Sequence, residues 1–364
     1  MDAERMFRRL KSTDDTSYRV SRGAAAAVRF AVFPLVICSV LAGGALTAYD
    51  GIVKDGGKAP EPVSAVKPVT AAKCVPSFSA EPEEDVFDYD ADLLQRLYEF
   101  DRTSVPDGMV GIVPVSLYRE PEPGKVWVSD AGDKHMADIG EYAENGLPVK
   151  YEEGDKVLIV HTHGTEAYSP EGALYCEPRS YPRSDDPSMN VIAIGDVFEK
   201  VLRDHGIDVI HCTVPIDKMS YSKAYENAAD IIKEYTAKES WIKYMFDIHR
   251  DAIELTDGSI ARMVTSCGGR PTAQVMFVVG TDRLVSANKN WRGNMALAVM
   301  LQKELEEKYP GLMRPINVKK GAFNQHLVPV SVLIEVGCDG NSMEEAERAA
   351  YITAEQIAKT IKGE

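Results

Sequence analysis

The chain has 364 residues, is 45% hydrophobic and carries a formal net charge of −15. That balance suits one large domain or two modest ones with appendages, and it excludes general nucleic-acid binding, which needs a basic face. Six cysteines without a C-x-x-C pair exclude the common structural zinc motifs, a thioredoxin-type centre and a disulfide-built scaffold, while one or two disulfides stay open.

Residues 1–23 are polar, and Arg5, Arg8, Arg9, Lys11, Arg19 and Arg22 outnumber the acids. Residues 30–48, FAVFPLVICSVLAGGALTA, then run without a charge. At 1.5 Å per residue such a helix spans roughly 28 Å, the hydrocarbon thickness of a bilayer. The expectation is a cytoplasmic segment 1–23, a single transmembrane anchor over 24–48, and the bulk of the chain outside the cytoplasm, because the basic side stays in. A cleaved signal peptide is the alternative, although its apolar core is normally shorter. Residues 49–83 have the Gly, Pro, Ala, Lys and Ser composition of a flexible linker. Residues 84–154 form a small region before the catalytic part, with a short amphipathic helix expected over 85–100 and a short strand over 110–118.

From residue 155 strands and helices alternate. The run VLIV at 157–160 reads as a buried strand, followed by helices over 190–205 and 222–238 that flank a short strand at 207–212. A strand at 242–248 comes next, then a hairpin of 259–265 with 272–279. A helix over 291–309, a core strand over 329–336 and a closing helix over 343–361 complete the pattern. This alternation implies an α/β domain over 155–364, with a mixed β-sheet covered by helices on both faces.

Three of these strands end in polar residues that packing does not require: His163 and Glu166 in HTHGTE, His249 in DIHRD, and Glu335 in LIEVG. In open α/β sheets ligands sit at the carboxyl ends of strands. Two imidazoles and a carboxylate are a common catalytic zinc set with a fourth position left for water, so His163, Glu166 and His249 are the expected metal ligands. Glu335 is the expected proton carrier. Arg250 would steady an oxyanion or grip a substrate carboxylate, or else balance Asp247 or Asp251. His161 reads as a supporting neighbour, and His205 and His211 as polar residues at a helix end and a strand end.

The motifs HTHGTEAYSP, DIHRDA, YPGLMR, FNQHL and LIEVGCDGNSMEEA, in this order, resemble the stage II sporulation protein P family over roughly residues 155–361. The resemblance implies an amidase (phosphorylase/hydrolase-like) fold and a membrane-anchored zinc N-acetylmuramoyl-L-alanine amidase. Such an enzyme acts on peptidoglycan during engulfment in sporulation, in the intermembrane space of the sporulating cell. It implies a Zn²⁺ cofactor, with His163 and His249 as ligands and Glu335 as the catalytic glutamate. In the broader amidase group a carboxylate before the first helix binds zinc, which corresponds here to Asp186 as the alternative to Glu166. Gly164 stands where the family usually has a hydroxyl residue, and Cys338 where a second Gly is common, which leaves open whether that thiol competes for metal. The stage II sporulation protein D enzyme and a membrane scaffold are the implied partners. A zinc endopeptidase acting on peptidoglycan cross-links and a non-catalytic envelope scaffold are the alternative functions.

Overall fold

The structure is a computed structural model that describes residues 17–20, 26–29, 100–117, 126–130, 142, 144, 146–178, 182–255 and 257–364. The expected anchor core at 30–48, the linker at 49–83 and the helix at 85–100 fall outside these, except that residue 100 is described. Among the described residues no helix is long and apolar enough to cross a membrane.

The strands are β1 (Ser17–Val20), β2 (Ala26–Arg29), β3 (Val110–Val115), β4 (Val128–Asp130), β5 (Lys156–Val160), β6 (Tyr175–Cys176) and β7 (Asp208–His211). They continue with β8 (Ile242–Asp251), β9 (Glu254–Leu255), β10 (Ile260–Cys267), β11 (Arg270–Ala273), β12 (Val275–Gly280), β13 (Ile316–Lys319) and β14 (Val330–Cys338). The long helices are α1 (Val191–Asp204), α2 (Ala224–Lys238), α3 (Trp291–Lys308) and α4 (Met343–Lys362).

The main sheet runs β4-β13-β12-β14-β8-β5-β7. The strands from β14 to β7 are mutually parallel, β12, β13 and β4 are mutually parallel, and β12 meets β14 antiparallel. This is the expected mixed sheet. Its strands are apolar almost throughout because both faces are covered. One face, with Val157, Ile159, Phe246, Ile248, Val332 and Ile334, packs against α1, α3 and α4. The other, with Leu158, Val160 and Met245, packs against Ala228 and Ile232 of α2.

Local signals set the helix ends. Asn190 caps α1, its side chain accepting from Ile192 N–H at 2.9 Å. Ser342 and Glu345 form a capping box at the start of α4, and Gly363 closes that helix at φ 74°.

Two sequence expectations are corrected. The hairpin is β10 with β11, and the run 272–279 does not continue as one strand. Gln274, fully buried, interrupts it: its Nε2 donates to Leu117 O at 2.6 Å and Gly311 O at 2.7 Å, while its Oε1 accepts from Leu117 N–H at 2.8 Å. Past this joint β12 enters the main sheet. The hairpin belongs to a second sheet, β1-β2-β9-β10-β3-β6 with β11 on β10, which the sequence pattern did not reveal. The other correction concerns strand length. β8 continues through Asp251, so His249 stands within its strand rather than after it, and β14 runs past Glu335 to Cys338.

Candidate metal centre

The loop leaving β5 is held by two buried aspartates. Asp247 accepts from the Thr162 N–H at 2.9 Å and its Oγ1 at 2.6 Å. Asp217, on the one-turn helix Ile216–Met219, accepts from the Thr165 N–H at 3.1 Å and its Oγ1 at 2.5 Å, and it also pairs with Arg183. His163 lies between these fixed points. Its ring centroid is 5.6 Å from that of His249, 4.9 Å from Tyr221 and 5.6 Å from Tyr225.

β8 brings Asp247 and His249 to one face, two residues apart. That is the α2 face, since Ile248 packs into the opposite one. Glu335 of β14 stands directly beside His249 in the strand register. Glu166 closes the group: its Oε2 lies 3.3 Å from His249 Nδ1 and accepts from the Arg250 N–H at 3.3 Å. The structure thus brings His163, Glu166 and Glu335 each to the side of His249. Asp247 and Asp217, which no motif singled out as site residues, support this arrangement.

Other expectations fare differently. Arg250 is buried, and its guanidinium donates to Ala167 O at 2.9 Å, Pro182 O at 2.6 Å and Asp251 O at 3.5 Å. It ties β8 to the loop after His163, and those carbonyls occupy the fork that an oxyanion or substrate carboxylate would need. Asp186 is exposed and caps a single 3-10 turn, accepting from Ser188 N–H at 2.9 Å and Ser188 Oγ at 2.7 Å. Cys338 Sγ is turned toward the second sheet, donating to Ala261 O at 2.9 Å, so it is not a competitor for metal.

His161 is fully buried. Its Nδ1 lies 3.0 Å from Ile248 O and its Nε2 lies 2.8 Å from His211 Nε2. A carbonyl only accepts, so His161 carries its proton on Nδ1 and its Nε2 accepts from His211. Gly195 of α1 crosses immediately above, where a Cβ would stand 2.5 Å from the Nε2 of either ring. His211 Nδ1 then faces Glu199 Oε2 at 3.1 Å and Asp196 Oδ1 at 3.4 Å. These three are the one group among the described residues whose ligand atoms all lie within 4.8 Å of one another. Burial opposes charge on His211, and Asp196 and Glu199 outweigh burial and raise its pKa.

The set around His163 is more open, and its electrostatics favour a cation. Burial opposes charge on His249, yet Asp247 and Glu166 raise its pKa well above the usual imidazole value. Burial would raise Glu166, but His249 and Arg250 hold it below the ordinary carboxylate range. Burial, reinforced by Asp251 and Glu166, pushes Glu335 up to about 8. At this centre His163 Nδ1 and Glu335 Oε2 are buried without a hydrogen-bond partner. His249 Nε2 is 2.8 Å from Asp247 Oδ1, an ion pair that fixes the ring. Orphaned buried groups are costly. Two imidazoles, a carboxylate and unpaired donor atoms fit a divalent zinc ion.

Comparison with known proteins agrees with the motif reading. The chain is 30% identical over 257 residues to the stage II sporulation protein P of Bacillus subtilis (strain 168), spanning 66% of this chain and 61% of that protein's length. Among solved structures it is similar to the CwlD amidase of Clostridioides difficile in complex with the GerS lipoprotein, with 16% identity, 57% of this chain and 94% of that one, and a TM-score of 0.32. It is also similar to the apo form of the N-acetylmuramyl-L-alanine amidase Ami1 from Mycobacterium abscessus, with 12% identity, 58% and 99% coverage, and a TM-score of 0.33. The family model described as Stage II sporulation protein P matches residues 124–358. That match runs from just before β4 into α4 and takes in every residue gathered at the centre, so the chain belongs to the stage II sporulation protein P family.

Proposed function

We propose that this chain is a zinc-dependent N-acetylmuramoyl-L-alanine amidase that cleaves peptidoglycan during sporulation. The observation that carries the reading is the convergence of Glu335 with His249 across the β14–β8 register, beside His163 and Glu166, with His163 Nδ1 and Glu335 Oε2 buried and without hydrogen-bond partners. His163, Glu166 and His249 would hold the metal. Zinc bound there would polarise the scissile carbonyl and make water acidic enough to attack it.

The remaining work falls to the chain's own residues. Glu335, beside His249 in the strand register, takes the proton of the attacking water and delivers it to the alanine nitrogen as the amide breaks. Asp247 orients His249, and Asp217 and Arg250 keep the loop carrying His163 and Glu166 in place. Membrane anchoring through residues 24–48, an extracytoplasmic location, and assembly with the stage II sporulation protein D enzyme and a membrane scaffold belong to the same proposal. They are supported by the apolar run and by family membership.

The test uses the purified full chain on peptidoglycan. The amidase reading expects new muramic lactyl carboxyl ends together with intact stem peptides. Glu335→Gln should lower the rate by about 10²–10⁴-fold, the usual contribution of a positioned acid–base group. Cleaved stems with no lactyl ends would point to an endopeptidase. An unaltered sporulation phenotype in His163→Ala and His249→Ala cells would point to a scaffold.

A further inference from the structure

Hydrolysis of an amide places negative charge on the carbonyl oxygen, and enzymes usually meet that charge with a fixed donor. Arg250, the residue whose position in the sequence suggests this role, is held by three backbone carbonyls. We propose that Tyr225 supplies the missing donor: its phenol hydroxyl, on a ring in T-shaped contact with His163, would hydrogen-bond the carbonyl oxygen as it becomes an oxyanion. The inference rests on the amidase reading above.

Tyr225 lies in the first turn of α2, its ring perpendicular to that of His163 at 86° and 5.6 Å between centroids. Tyr225 is set into the fold, and its hydroxyl stands in the field of the Asp247, Glu335 and Glu166 carboxylates. The ring contact with His163 and these three carboxylates place Tyr225 beside the centre. A residue needed only to pack against His163 would be served by a phenyl ring, without a polar group among carboxylates.

The ring is also held from behind. Phe323 packs edge-on against it at 5.7 Å, and Asn324 Nδ2 donates to the Tyr225 carbonyl at 2.8 Å. Phe323 and Asn324 both adopt left-handed backbone, φ 48° and 57°, the only non-glycine residues to do so among those described. Consecutive residues in that region persist where surrounding contacts enforce them, and such sites cluster at functional positions. Here the turn holds Tyr225 in place.

Tyr225→Phe keeps the ring and removes only the oxygen. In the full zinc-loaded chain, kcat should fall by about 10²-fold or more, with KM changed less than about threefold. Zinc stoichiometry and thermal midpoint should match wild type. Affinity for a phosphinate analogue, with tetrahedral phosphorus in place of the carbonyl carbon, should fall by a comparable factor, while affinity for the released stem peptide stays the same. If wild type releases lactyl ends and Tyr225→Phe does so at the same kcat, or loses activity only in step with lost zinc, this inference is overturned alone. If wild type releases none, the amidase reading falls and takes the inference with it.

Discussion

At the scale of single residues, the candidate centre depends on how each carboxylate is used. Asp247 accepts two hydrogen bonds from Thr162 and stands 2.8 Å from His249, so it supports the candidate ligand set from behind. Glu166 touches His249 Nδ1 directly, whereas Asp186 spends one oxygen on Ser188 at the protein surface. The two candidates for third ligand therefore separate in a metal-binding experiment. Glu166→Gln should weaken zinc affinity by more than about 100-fold, since even residues that only orient ligands are worth about 10–100-fold. Asp186→Asn should bind zinc as wild type does and cost at most about 1 kcal/mol of stability through a weakened cap. Zinc retained by Glu166→Gln and lost by Asp186→Asn would reverse the assignment.

At the scale of elements, helix α1 and strand β7 meet through charge. Asp196 and Glu199 of α1 face His211 Nδ1, Arg203 holds the other Glu199 oxygen at 2.9 Å, and His161 accepts from the far side of the ring. The pKa of His211 is raised above its usual 6.5. A group raised on folding contributes its stability fully below the unfolded pKa and loses it as pH climbs through the folded one. The thermal midpoint of wild type should therefore decline from pH 6.5 upward, and that alkaline decline should be shallower in His211→Gln. Parallel curves for the two proteins would dismiss the ion pair as a stabilising contact. The depressed pKa of Glu199 acts at the acid end and does not enter this window.

The same elements show what could be read beforehand. The apolar runs of β5, β8 and β14 and the helical periodicity of α1, α3 and α4 are strong signals, and polar residues at the strand ends pointed to His163, His249 and Glu335. Tyr225 was hidden because α2 shows an apolar stripe of Ala224, Ala228, Ile231 and Ile232, and an aromatic beside it looks like core. Asp217 was hidden in a one-turn helix too short to have a period. Arg250 misled because adjacency in sequence says nothing about which carbonyls surround a guanidinium in space.

At the scale of the molecule, the two sheets are bound at a few polar joints. Arg262 of β10 pairs with Glu345, the capping residue of α4, and Cys338 and Asn341 bond to the Ala261 and Met263 backbone. Gln274 is the central joint. It satisfies the N–H and C=O of Leu117, which follows β3, and the carbonyl of Gly311, at the point where the chain leaves β11 for β12. A run reading TAQVMFVV shows one long strand by composition, and only the buried amide explains why it divides. Gln274→Ala would leave three buried backbone groups without partners. At roughly 1–3 kcal/mol for each such group, the loss should reach about 3 kcal/mol or more, a large share of the 5–15 kcal/mol typical of a domain. Chemical denaturation should show the lowered midpoint. Amide exchange should rise first in β3, β10 and β11, while β5, β8 and β14 stay protected, because the second sheet then depends on its remaining contacts. Uniform exchange across both sheets would mean that they unfold as one unit and that Gln274 is not the joint between them.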